Sequence, residues 1–165
     1  MTNRVKSSSL QGMDDELKIR IASKTDLHPL LELYRHLNGD DPTLQENDAS
    51  QIFDSLHNYT GSQIFIGEID DAVVTTCTLI VIPNLTRGGA PYALLENVVT
   101  HKQYRKRGMA CALLKAAVDS AWSHGCYKVM LLTESKDLGT LKFYEKAGFT
   151  QDKTGFQIRR IPPRK

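Results

Sequence analysis

The spacing of apolar residues changes along the chain and predicts the order of its elements. Residues 17–22 alternate apolar and polar side chains, which predicts a first strand. Leucines three and four residues apart then predict a helix that ends at Leu37 and is capped by Thr25 or Asp26. A second helix is predicted over residues 44–56, after a break rich in Asn, Gly, Asp and Pro.

The middle of the chain returns to a period of two and predicts three strands. Residues 63–69 and 72–82 read as a hairpin joined by a tight turn, and the second segment is rich in Val and Thr. A Gly-containing loop over residues 83–91 leads to residues 93–100, which are largely apolar, as is typical of a central strand.

The C-terminal third holds the clearest helical pattern. Over residues 108–125 the apolar side chains recur three and four positions apart, which predicts an amphipathic helix. A buried strand over residues 128–133, a helix over 138–146 and a final strand over 156–161 follow. The predicted order is β-α-α-β-β-β-α-β-α-β, and the fold class is mixed α/β.

Composition fits one globular domain. The 165 residues are 41% hydrophobic and 24% charged, which is sufficient for a core without disulfides or metal. We expect a flexible leader over residues 1–16 and a single domain over 17–165. The polar start has no signal-peptide pattern, and the longest apolar stretch, residues 78–83, is far too short to span a membrane.

Charge and cysteine usage exclude several classes of function. A formal net charge of +2 predicts no broad nucleic-acid surface. The three cysteines are odd in number and show no CxxC spacing, so free thiols in a reducing cytoplasm are expected. The five histidines form no ligand pattern with them, and no metal site is predicted.

A basic turn between a predicted strand and the strongest predicted helix is the most informative stretch. Such a turn points free backbone N–H groups outward at the positive end of the helix dipole. Gly108 permits a close backbone approach and Ala110 keeps the next contact small. The stretch is Arg105-Lys106-Arg107-Gly108-Met109-Ala110. It predicts a pyrophosphate cradle; a solvated basic loop and a nucleic-acid patch are the alternatives.

The same turn carries a family resemblance. Arg105-x-x-Gly108-x-Ala110 resembles the Gln/Arg-x-x-Gly-x-Gly/Ala motif of the GNAT acetyltransferases. Residues 95–100 resemble that family's fourth strand, and residues 142–149 its Phe-Tyr-x-Lys-x-Gly-Phe segment. The C-terminal half is most similar to the glucosamine-phosphate N-acetyltransferase members.

The resemblance implies a GNAT fold that binds acetyl-CoA as co-substrate. Its mostly antiparallel, twisted sheet is flanked by helices, and its fourth and fifth strands splay apart. The pantetheine arm would bond to the backbone of Val98 and Thr100, and an N–H near Val98 or Val99 would polarise the thioester. The phosphates would lie on the basic turn, with Thr140 and Tyr144 also beside the cofactor.

Two side chains are candidates for catalysis. Glu96 is a charged residue inside an apolar strand, which is costly unless the charge is paired or used. It is interpreted as a general base for the amine, with a substrate contact or a structural ion pair as alternatives. Tyr144 would donate a proton to the leaving CoA thiolate, or it is a core residue beside Phe143.

The acceptor is expected to be an amine, and the sequence leaves the chemical class of this amine open among several alternatives. Asn97 stands where the glucosamine-phosphate members carry an acidic residue, and Thr140 stands where they carry Asn. Loop 83–91 carries Arg87 as its one charge, which favours a small acceptor such as an amino sugar, amino acid or polyamine. Asn97 and Arg87 are predicted substrate contacts. A protein acetyltransferase and a non-catalytic acyl-CoA-binding module are the alternatives.

A homodimer is expected as well. The resemblance supports it, and the edge of the predicted strand over residues 156–161 must be paired or covered. Neither nucleic acid nor a membrane is an expected partner.

Overall fold

The computed structural model describes residues 16–161. The predicted leader over residues 1–16 lies outside this range except for Glu16, and residues 162–165 also lie outside it.

Five strands form one sheet in the order of the chain, β1-β2-β3-β4-β5. The first three pairings are antiparallel and the pairing of β4 with β5 is parallel. The sheet is therefore mostly antiparallel, as predicted. Its strands are β1 (Lys18–Ile21), β2 (Gln63–Ile69), β3 (Ala72–Ile82), β4 (Tyr92–Thr100) and β5 (Val129–Leu131).

Four helices cover the two faces of the sheet, and they are α1 (Leu27–Tyr34), α2 (Glu46–His57), α3 (Met109–Ser123) and α4 (Leu138–Lys146). Leu30 of α1 and Phe53 of α2 pack with Ile66 of β2 on one face. Helices α3 and α4 pack on the other face. The apolar stripe predicted for α3 is confirmed, because four of its residues are fully buried: Leu113, Leu114, Ala117 and Ala121.

Two element boundaries differ from the prediction in informative ways. Helix α1 ends at Tyr34 rather than Leu37, because the next residues close tighter turns in which the His36 N–H donates to the Leu33 carbonyl. The predicted final strand over residues 156–161 is wrong, since that segment has no strand partner. Phe156 is 95% exposed and Ile158 fully exposed, so the alternating pattern finds no face to bury.

An ion pair joins the edge strand β1 to the start of α1. The Arg20 guanidinium donates to both Asp26 carboxylate oxygens at 2.7 and 2.8 Å, and it also pairs with Glu68 of β2. Ser23 donates its backbone N–H to the same Asp26 carboxylate at 2.7 Å. These bonds hold the pKa of Asp26 well below its usual range, with Arg20 as the largest cause. Within residues 16–161 no helix is long and apolar enough to span a membrane.

Candidate active site

The fourth and fifth strands are paired only over a short stretch. Residues Ala93, Leu94 and Leu95 of β4 pair with Val129, Met130 and Leu131 of β5, where β5 ends. From Glu96 to Thr100, β4 continues with no strand paired on that side among residues 16–161. The strands therefore part at Glu96, and the edge of β4 beyond it is open.

A β-bulge lies at the point where the strands part. Glu96 is opposite Thr78, whereas Val99 is opposite Thr76, so β4 has one residue more than β3 between these pairs. Asn97 lies within this bulge, and its backbone is in the left-handed region with a φ of 51°. Its side chain is exposed. A bulge leaves backbone groups outside the ladder and bends the strand. This places Asn97 beside the open edge, where a regular strand would turn it to the face opposite Glu96.

Glu96 is half-buried on the face of the sheet that carries α1 and α2. Residues opposite each other in an antiparallel pair share a face, and Glu96 shares that of Thr78. Burial raises the pKa of the Glu96 carboxyl. Across residues 16–161 no cationic side chain pairs with it. The structural ion-pair interpretation therefore has no support.

Tyr144 approaches the same gap from α4. Its ring contacts Phe143 at a centroid distance of 4.8 Å and Phe149 at 6.4 Å, so the residue does contribute to packing. Burial raises the pKa of the Tyr144 phenol, and the negative charge of Glu96 raises it further. The two predicted catalytic side chains are thus brought within electrostatic reach of each other.

The turn between β4 and α3 has the backbone that an anion site requires. Lys106 and Gly108 both have positive φ, 64° and 80°, and α3 begins directly after Gly108. The first helical bond runs from the Ala112 N–H to the Gly108 carbonyl, so the preceding N–H groups have no acceptor within the helix. A Cβ on Gly108 would meet no atom within 4 Å. The residues present fit a pyrophosphate.

The three basic side chains of the turn differ in what they contact. Arg105 turns back, donating to the Thr100 carbonyl at 3.1 Å and the His36 carbonyl at 3.2 Å. It therefore ties the end of β4 to the end of α1. Arg107 lies over the Tyr104 ring at 5.1 Å, and Lys106 is exposed.

A histidine pair that the sequence did not indicate lies beside the turn. The ring centroids of His36 and His101 are 4.2 Å apart. Burial lowers the pKa of His36, and His101, Lys102 and Arg105 lower it further. The basic side chains of the turn thus act on His36. Proximity of residue 36 to the turn is a tertiary contact, for which a single sequence holds no signal.

The two remaining predicted contacts lie further from Glu96. Thr140 is in the first turn of α4 and donates its backbone N–H to the Asp137 carboxylate at 2.8 Å. Arg87 lies over the Tyr127 ring at 5.6 Å, near the paired end of β4 and β5. Neither residue is brought into contact with Glu96. Among the described residues no group of His, Cys, Asp and Glu is arranged to hold a metal ion.

Most of the chain matches one known protein family. Residues 28–149 match the model of the acetyltransferase (GNAT) family. The chain belongs to this family. Members of the GNAT family are acetyl-CoA-dependent N-acetyltransferases, and the protein is an enzyme of this class. The parting of β4 from β5 and the Gly108 turn agree with the GNAT fold that the sequence resemblance implied.

Individual relatives place the chain within the GNAT family. It is 33% identical over 136 residues to glucosamine 6-phosphate N-acetyltransferase of Trypanosoma brucei brucei, covering 81% of this chain and 89% of the relative. The solved structure of a protein of Agrobacterium tumefaciens strain C58, named as an acetyltransferase, is 44% identical with a TM-score of 0.83, covering 87% of this chain and 99% of that one. Glucosamine-6-phosphate N-acetyltransferase of Arabidopsis thaliana shares the fold, at 20% identity and a TM-score of 0.80, covering 88% of this chain and 99% of that one.

Proposed function

We propose that the protein transfers acetyl from acetyl-CoA to the primary amine of a small molecule, with an amino sugar as the first acceptor to test. One observation carries the proposal: Tyr144 lies within electrostatic reach of Glu96, the residue at which β4 and β5 part. A titratable pair with raised pKa values beside an anion-binding turn is the arrangement that acyl transfer from a phosphorylated donor requires.

The donor site uses the turn and the open edge of β4. Pyrophosphate binds the free N–H groups at the start of α3, from Gly108 to Ala110, and Lys106 and Arg107 supply positive charge. The pantetheine arm lies along β4 and bonds to the backbone of Val98 and Thr100. An N–H near Val98 or Val99 polarises the thioester carbonyl. Thr140 is a further proposed contact to the donor.

Glu96 prepares the amine for attack. A primary amine of a lysine type has a pKa of about 10.4 and is mostly protonated at neutral pH, so a base that removes the proton increases the reactive fraction. Burial raises the pKa of Glu96 toward the pH at which it operates, which makes it a better base. Its exposed neighbour Asn97 and the more distant Arg87 are proposed acceptor contacts.

Tyr144 completes the transfer. When the C–N bond forms and the C–S bond breaks, the CoA sulfur leaves as a thiolate and requires a proton. The raised pKa keeps the Tyr144 phenol protonated at neutral pH, so it is available as the donor. The ordinary pKa values of a phenol, about 10, and of a thiol, about 8.5, are close enough for efficient transfer, although the raised pKa of Tyr144 widens the difference.

An amino sugar is favoured by the relative of T. brucei brucei, which acts on glucosamine 6-phosphate according to its name and is matched over 89% of its length. The test is a panel of glucosamine 6-phosphate, other amino sugars, a polyamine, amino acids and lysine-containing peptides, with release of free CoA thiol as the signal. Transfer to an amino sugar with the highest kcat/KM is expected. A higher kcat/KM on peptides would overturn the small-molecule assignment and favour a protein acetyltransferase.

We also propose a cytoplasmic homodimer. Cys77, Cys111 and Cys126 are free thiols, which suits a reducing compartment. Within residues 16–161 no strand pairs with the outer edge of β5, and exposed apolar side chains lie on β5, directly after it and on the segment after α4: Met130, Leu132, Phe156, Ile158 and Ile161. A second copy would bury these side chains and pair the edge.

A further inference from the structure

Thr78 of β3 lies directly across from Glu96 of β4. Cross-strand partners share a face, and their Cβ atoms lie about 4.5–5.5 Å apart, which a glutamate side chain spans. The next pair along, Leu79 and Leu95, packs into the core on the opposite face, under α3. Thr78 and Glu96 therefore point together to the side that carries α1.

The Thr78 hydroxyl has no hydrogen-bond partner, although the residue is only 2% exposed. It is the one buried side-chain polar atom within residues 16–161 in that condition. The neighbouring threonines are satisfied: Thr75 donates to the Val99 carbonyl at 3.1 Å, and Thr76 to the Phe65 carbonyl at 2.7 Å. Buried polar groups without partners are rare in native proteins, and each one calls for an explanation.

The phenol of Tyr34 lies near the Thr78 hydroxyl. Tyr34 is the last residue of α1, which packs against both β3 and β4. Burial raises the pKa of its phenol, while the nearby hydroxyls of Thr78 and Thr76 lower it. The phenol lies beside Thr78 without the geometry of a full hydrogen bond. A hydroxyl has one proton to donate and two lone pairs. Because no full hydrogen bond joins the Thr78 hydroxyl to the Tyr34 phenol, the proton of Thr78 is available for Glu96.

We propose that Thr78 is a positioning residue for Glu96, whose ionised carboxylate accepts a hydrogen bond from the Thr78 hydroxyl. This rests on the proposed function, in which Glu96 is the base. The bond holds the carboxylate at the point where β4 and β5 part. It also stabilises the charged form, so it opposes the effect of burial and keeps the base ionised at neutral pH.

Few other groups titrate beside Glu96. Tyr34 of α1 lies beside Thr78, and Tyr144 of α4 lies within electrostatic reach of Glu96; both phenols have a pKa above the usual 10. Cys77 is next to Thr78 but on the opposite face, and burial raises the pKa of its thiol to about 12. Burial is the sole cause of the Glu96 shift. Below pH 8, therefore, Glu96 is the group of this set that changes charge.

The test compares Thr78→Val, which replaces the hydroxyl by a methyl of similar size, with Thr78→Ser, which keeps it. The pKa of Glu96 is measured directly by infrared difference titration of the free protein, with Glu96→Gln identifying the signal. Thr78→Val should raise this pKa by about one to two units, and Thr78→Ser should leave it near the wild-type value. The acidic limb of kcat/KM, measured with the amine that the wild type acetylates, should move by the same amount.

Thr76→Val is the matched control, because it removes a buried hydroxyl two residues away on the same strand face. It should lower the Tm through the loss of the bond to Phe65, without moving the Glu96 pKa. Thr78→Val should leave the Tm unchanged at a pH where Glu96 is protonated and lower it where the ionised carboxylate accepts the Thr78 bond. If the Val variant does not fold, Thr78→Ala gives the same comparison.

An unchanged Glu96 pKa in folded Thr78→Val would overturn the inference and leave Thr78 as a packing residue. The same holds if Thr76→Val moves the pKa equally. Failure of the wild type to acetylate any amine would overturn the proposed function instead. The infrared titration would still decide the role of Thr78 in that case, because it needs no substrate.

Discussion

Burial raises the pKa of the Tyr144 phenol on α4, and the negative charge of Glu96 on β4 raises it further. The residues are 48 positions apart in the sequence and belong to different layers of the fold. One carboxylate thus favours the protonated state of the phenol opposite it. A carboxylate that can accept a proton and a phenol that holds one suit a reaction that removes one proton and supplies another.

Glu96→Gln should lower the rate of acetyl transfer by ~10²–10⁴, because it keeps the shape of the side chain and removes its basicity. The raised pKa means that wild-type activity should increase as the pH rises through that pKa, and the variant should lose this limb. The loss should shrink as the pH nears the pKa of the amine itself. The exposed Glu145→Gln is the control and should retain wild-type kinetics.

Two other results would give Glu96 a different role. A higher KM for the amine with a normal kcat at saturation would make it a substrate contact. Wild-type kcat/KM across the pH range in a folded Glu96→Gln protein would remove it from the mechanism altogether.

Tyr144→Phe should lower kcat more than it raises KM for acetyl-CoA, because it removes a proton donor and almost no volume. The ring contacts with Phe143 and Phe149 remain, so the Tm should change little. Tyr127→Phe removes a hydroxyl from an exposed ring and serves as the control. If kcat is unchanged while chemistry limits the rate, Tyr144 is a packing residue only.

Gly108→Glu should severely weaken the binding of CoA, since it places bulk and negative charge where backbone N–H groups face the pyrophosphate. Gly125→Glu is a matched control at the other end of α3. Gly125 also has a positive φ, 74° against 80°, and a Cβ there also meets no atom within 4 Å. Both variants should lose similar stability, and only the first should lose CoA affinity in calorimetry. Equal affinity in the two would place the phosphate site elsewhere.

Asp26→Asn should lower the free energy of unfolding by about 1–2 kcal/mol, because it weakens the bonds from Arg20 and Ser23. The loss of stability is small because the Arg20 side chain is 41% exposed and water screens its charge. The folded pKa of Asp26 is depressed, so its stabilisation is present above the unfolded value of about 4 and is lost as the pH falls below it. Denaturant unfolding between about pH 4 and 2 should therefore show a steeper loss in the wild type than in the variant. Parallel curves would contradict this.

The chain should form a dimer at micromolar concentration, with a mass by light scattering near twice the 18.5 kDa of one chain. Changing both Phe156 and Ile158 to Ser should shift it to the monomer, since these side chains are exposed beside the open edge of β5. A monomeric wild type would contradict the proposal. A dimer unaffected by the double variant would place the interface on another surface.

Local patterns in the sequence were sufficient for most elements and for the chemistry of the turn. The stripe of α3 and the alternation of β2 and β3 depend on which face of one element is apolar, and this is encoded within a dozen residues. Gly108 was indicated because a glycine before the helix permits a close backbone approach to an anion, and the structure shows that its φ is positive as well. Glu96 was indicated because a charge inside an apolar strand is costly unless it has a purpose.

Only the tertiary structure shows how the strands, the helices and the turn are arranged relative to one another. The bulge at Asn97 depends on the register of β4 against β3. The position of Tyr34 beside Thr78 depends on how α1 packs on the sheet. The hydrogen bond from Arg105 to the His36 carbonyl depends on where α1 ends. The segment over residues 156–161 alternates like a strand and still forms no strand pairing in the described chain, although Arg159 forms an ion pair with Glu134. The periodicity of apolar residues indicates which side of a helix or strand is buried. Strand register and strand pairing depend instead on contacts between residues far apart in the sequence.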